Sequence, residues 1–94
     1  MPKRLAKKLS FTTHLFREGK LYVAYVPELD LSTCGESPEE ARDNIRDAVE
    51  GSLETSEELG TLEEILEEAG FQLKKDTWQP PEFVSLDRLT VTLN

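Results

Sequence analysis

Few side chains in this sequence are equipped for chemistry, and their types and spacing point to recognition rather than catalysis. His14 is the only histidine and could act as a base. It stands in a strand-like stretch with no serine or cysteine placed nearby as a nucleophile. It therefore reads as a surface or interface residue. Metal-dependent phosphodiester cleavage needs several carboxylates converging on a cation. The N-terminal third offers mainly Asp30, with Glu28 beside it, and both are counted instead as candidate partner-binding residues. Cys34 is the one cysteine, so no internal disulfide can form, and no second thiol or clustered histidine makes it a metal ligand. It is expected to pack as a small apolar group. The expectation is a protein that is not an enzyme, with no cofactor, no metal and no small-molecule substrate.

The side chains suited to holding a partner are more numerous. Tyr22 and Tyr25 are three apart in an apolar run and face opposite sides of a strand. One is then a core residue and the other an interface aromatic, a residue type enriched at binding hot spots. Trp78 stands just before Pro80 and Pro81, where it either covers a core edge or anchors a partner. Asp43 and Asp47, with Glu50 and Glu54, place acids at helical spacing. Such a face is either simply solvated or complements a basic partner.

Charge sharpens that choice. The 94 residues carry a net charge of −8, against nucleic acid as the main ligand, because phosphate binding needs a basic face. Residues 1–20 hold six bases against Glu18 alone, a net +5. The remaining 74 residues hold five bases and eighteen acids, a net −13. A short basic arm thus precedes an acidic body suited to a basic partner. The single cysteine, the lack of a membrane-length apolar run and the lack of a signal-peptide apolar stretch after the basic start lead to the expectation of a cytoplasmic chain.

The elements that position these residues follow from periodicity and punctuation. Residues 9–16 alternate as a strand, with Leu9, Phe11 and Leu15 on one face, and residues 17–20 form a turn around Gly19. Residues 21–26, Leu-Tyr-Val-Ala-Tyr-Val, are apolar throughout and predict a central strand covered on both faces. A weaker strand follows at about residues 30–34. Ser37-Pro38-Glu39-Glu40 is a capping box with proline at the first helical position. It opens a helix to about residue 55, whose buried stripe is Ala41, Ile45, Ala48, Val49, Ser52 and Leu53. Residues 61–70 predict a short helix from Thr61 to a terminating Gly70, residues 74–82 a loop, and residues 83–93 a strand closing the domain. The order is β-β-β-α-(α)-β in a single domain spanning residues 1–94. The fold class is α+β: a two-layer sandwich with an antiparallel-rich sheet packed by one main helix.

The stretch Tyr22-Val23-Ala24-Tyr25-Val26-Pro27-Glu28-Leu29-Asp30, followed by Cys34-Gly35-Glu36-Ser37-Pro38-Glu39-Glu40-Ala41 and a helix with Asn44, resembles the HicB-like antitoxin family. The match covers roughly residues 8–55. Asp30-Leu31-Ser32 stands where the family often has Pro-Gly-Cys. The resemblance implies a partial RNase H-like fold without nuclease activity, and a partner that is a small basic HicA-type RNA-cleaving toxin whose active face the antitoxin covers. It also implies a homo-oligomer, a dimer or tetramer, and pairing of open sheet edges across a symmetric dimer would serve that end. Many members carry a C-terminal DNA-binding module, for which 94 residues leave no room, so DNA binding is doubtful. Two other readings stand beside this one: a solitary HicB-fold oligomeric adaptor without a toxin, and, more remotely, an RNase H-like hydrolase.

Overall fold

The computed structural model describes residues 8–94. The basic arm, residues 1–8, falls outside the described residues except for Lys8. Three strands, β1 (His14–Glu18), β2 (Leu21–Val26) and β3 (Leu31–Gly35), form an antiparallel sheet with β2 in the centre. Two helices follow, α1 (Pro38–Leu59) and α2 (Leu62–Glu68), and then two short strands, β4 (Gln72–Lys74) and β5 (Thr77–Gln79), paired in a separate ribbon. The α+β class expected from the sequence is the one observed, with α1 packed across β2 and β3.

The first strand begins later than the alternation of residues 9–16 suggests. The Thr12 amide donates to both carboxylate oxygens of Glu28, at 2.9 and 3.1 Å, so a side chain stands where a strand partner would be. Leu9 and Phe11 turn instead toward a second apolar cluster beneath α2. Gly19, at φ 59°, closes the β1–β2 hairpin. The register pairs His14 with Tyr25, Phe16 with Val23, and Val23 in turn with Cys34.

Ser37 caps α1 as its residue type demands: its hydroxyl accepts from the Glu40 amide at 3.1 Å. The Glu40 carboxylate reaches back to accept from the Glu36 amide at 3.2 Å. Glu39 and Glu40 sit in the first turn, at the positive pole of the helix; the last turn holds Glu57 and Glu58 and no base. The helix runs four residues past 55 because its buried stripe continues through Ser56, whose hydroxyl donates to the Ser52 carbonyl at 2.8 Å. Gly60, in the left-handed region at φ 75°, ends it. Gly35 is required by proximity: a β-carbon there would lie 2.6 Å from the Ala41 amide nitrogen, so β3 and the first turn of α1 meet backbone to backbone. Asn44 secures the same junction by donating to the Cys34 carbonyl at 2.9 Å.

The core has two parts. Ala24, Val26, Ala41 and Ile45 form the first, between sheet and α1. Leu62, Leu66 and Phe71 form the second, flanked by Leu53 and Trp78. The Phe11 ring bridges them, packing on Phe71 at 5.2 Å between ring centres.

Two C-terminal expectations are corrected. Residues 74–82 are not simply a loop. Residues 72–79 form the β4–β5 hairpin, turned by Lys75 and Asp76 at φ 49° and 64°, a pair of left-handed residues without the glycine that usually announces them. Residues 83–93 are not a strand closing the domain. They have no regular secondary structure, and every one is exposed. A strand needs an edge to receive its backbone hydrogen bonds, and within the described residues none receives this one. The radius of gyration, 16.0 Å, exceeds the value of about 12 Å for a compact domain of this length.

Candidate functional site

Alternation along β2 divides the sheet into two unlike faces. Tyr22, Ala24 and Val26, with Leu15 and Leu31, point toward α1 and the first core. Leu21, Val23 and Tyr25 point away, joined across the sheet by His14, Phe16 and Cys34. No described element covers this outer face. Phe16 is 46% and Leu21 42% exposed, and the Cys34 thiol is exposed too. The expectations of a strand covered on both faces and of a packed Cys34 are therefore corrected. One layer of helices can lie on only one side of a sheet, and that alone identifies Phe16, Leu21 and Val23 as surface residues that the sequence reading passed over.

The seven candidate partner-binding residues, Tyr22, Tyr25, Glu28, Asp30, Asp43, Asp47 and Trp78, do not form one site. Tyr22 and Tyr25 do lie on opposite faces. Tyr22 packs against the first core with the Arg17 guanidinium 5.8 Å from its ring centre. Tyr25 lies on the outer face, where its hydroxyl donates to Asp30 Oδ1 at 2.9 Å and its ring meets His14 edge-on at 5.9 Å. The hydrogen bond to the Asp30 carboxylate, more than partial burial or the charge alone, raises the Tyr25 pKa above its ordinary 10.0. Asp30 is itself left-handed, at φ 50°, in the β2–β3 turn. Glu28, in the same turn, has its carboxylate engaged by Thr12. His14, Tyr25, Glu28 and Asp30 thus gather at one end of the sheet. Trp78 is half-buried against the second core, the covering role of the two foreseen for it.

Asp43 and Asp47 lie elsewhere, on α1. At 100° per residue they share a stripe with Glu50, Glu54 and Glu58, on the side of the helix opposite Ala41 and Ile45. Beside that stripe an open groove of about 560 Å³ separates α1 from residues 9–13. Its walls include Phe11, Ile45, Val49 and Leu53, and its rim carries Arg42, Arg46 and Glu50.

The charge is partitioned between layers. α1 carries eight acids and two arginines and α2 four acids, a combined −10. Residues 14–35, the sheet and its turns, carry two bases and three acids, a net −1. Among the described residues, no three or more histidine, cysteine, aspartate or glutamate side chains converge as a metal cage, and no helix is long and apolar enough to cross a membrane. The constellation at the sheet end pairs one imidazole with a phenol and two carboxylates that already hold structural hydrogen bonds.

No protein-family model matches this chain, and neither curated proteins nor solved structures yield a match.

Proposed function

We propose that this chain is an antitoxin-like binding module of the HicB-like kind its sequence resembles. It neutralises a small basic HicA-type, RNA-cleaving toxin by lying over the toxin's active face. The observation that carries this reading is the −10 charge gathered on α1 and α2, with Asp43, Asp47, Glu50, Glu54 and Glu58 aligned along one exposed stripe. A protein that holds RNA presents a basic surface, and an acidic helical layer competes for that surface. Fixed opposite charges accelerate encounter and disfavour wrong partners. A cytoplasmic location belongs to the same reading.

Co-expression with a small basic HicA-type toxin tests it. A stoichiometric complex and restored growth are expected. Asp43→Lys/Asp47→Lys should slow association on the order of tenfold at low salt, with a smaller effect at high salt. If neither complex nor rescue is found, the antitoxin reading fails. The uncovered outer sheet face favours the second reading, an oligomeric adaptor with this fold and no toxin, and self-association without any toxin binding would support it.

A further inference from the structure

Among the described residues, both the C-terminal segment and the outer sheet face expose apolar side chains. Phe83, Val84, Leu86, Leu89, Val91 and Leu93 are all more than half exposed. From Leu89 the segment alternates apolar residues with Thr90 and Thr92, the pattern of a strand with one buried face. We propose that residues 83–93 are an exchange arm for a second copy of this chain. The outer sheet faces of two copies lie together, and each arm runs as an added strand along the free edge of its partner's β1.

Four observations place the arm there. The first is its point of departure. Pro81, Glu82 and Phe83 share one depression with Thr12, His14, Pro27 and Glu28, so the arm leaves the body at the β1 corner of the outer face. Its root is fixed: a β-carbon at Gly70, whose φ is 95°, would lie 3.0 Å from the Pro81 ring. The second is the choice of edge. The β3 edge is already engaged where Asn44 donates to the Cys34 carbonyl, whereas β1 has β2 on one side and no strand on the other among the described residues. An extended segment added to an open edge is a common mode of protein recognition. The third is reach. Eleven extended residues span roughly 36 Å, and five-residue β1 only about 17 Å. The fourth is charge. Residues 83–93 contain one acid and one base, Asp87 and Arg88, and the sheet is nearly neutral. The sheet side is thus where two acidic bodies can approach without bringing their −10 helical layers together. A small basic protein is drawn to the opposite side. This inference does not rest on the antitoxin reading, because copy–copy contact is measured without a toxin.

Light scattering and sedimentation of the full chain over a concentration series test it. The expected mass is twice 10.7 kDa. The triple variant Leu89→Asp/Val91→Asp/Leu93→Asp should sediment as a monomer with an unchanged circular dichroism spectrum, since none of these residues is buried within the chain. Val91→Pro, which removes one amide and stiffens the arm, should raise the dimer dissociation constant at least tenfold. Phe16→Asp on the outer face should also dissociate the dimer. Hydrogen exchange of amides 89–93 should slow as concentration rises. A monomeric wild-type chain, or a dimer unaffected by the arm variants, overturns the proposal. So does arm protection that is independent of concentration, which would mean that the arm folds back on its own sheet. Protection that arises only on adding a small basic protein overturns it as well.

Discussion

β2 presents two faces made from the same kinds of residue, and they have opposite fates. Ala24 and Val26 are essentially inaccessible beneath α1, while Leu21, Val23 and Tyr25, interleaved with them, are exposed or half-exposed. Hydropathy does not distinguish the two sets. What distinguishes them is a helix at contact distance, admitted by small residues where the layers meet: Ala24, Gly35 and Ala41. Apolar side chains on a pleated strand state a demand for burial. Whether the same chain meets that demand is decided by the number of layers it can build.

The largest test of this contrast truncates one apolar side chain on each side. Ile45→Ala should lower unfolding free energy by about 2–5 kcal/mol through lost burial and the cavity left behind. Phe16→Ala, in the monomeric arm variant, should change it by no more than about 0.5 kcal/mol. Urea titration measures both, and equal losses would erase the distinction between the faces. Next in size is Gly35→Ala, which drives a β-carbon into the first turn of α1 and should cost about 1–3 kcal/mol. An unchanged midpoint would show that α1 can lift from β3 without consequence.

The smallest effect concerns the outer face alone. Asp30→Asn should return the Tyr25 pKa toward 10.0, read from phenolate absorbance in an alkaline titration. The folded pKa is the raised one, so any stability linked to it is present below pH 10 and is lost as pH rises through the folded value. A Tyr25 titration unaffected by the substitution would mean that the 2.9 Å hydrogen bond does not persist in solution.

The layer structure and the first helix were legible because their signals are local. The apolar run at 21–26, the capping box at Ser37 and the 3.6-residue stripe through Ala41 and Ile45 each carry their own physics. The sequence was less informative where a contact across the chain decided the outcome. The Glu28 carboxylate replaces a strand partner for Thr12, which no pattern within residues 9–16 records. Lys75 and Asp76 adopt left-handed turn geometry without glycine. Residues 83–93 have the alternation of a strand and lack an acceptor edge, a property of the fold rather than of the segment. For the candidate site, sequence reading separated Tyr22 from Tyr25 by face. It grouped Asp43 and Asp47 with Trp78, which the structure holds against the second core.

The ends of α1 have a further consequence. Its first turn sets Glu39 and Glu40 against the positive pole, a favourable arrangement, but its last turn offers no base to the negative pole. The side chains of that last turn thus add negative charge to a negative pole. Dissolved cations screen that charge weakly and without direction. A protein surface bearing fixed positive charge does so at close range and in a definite orientation. α1 thus joins a favourable charge arrangement in its first turn to an unfavourable one in its last.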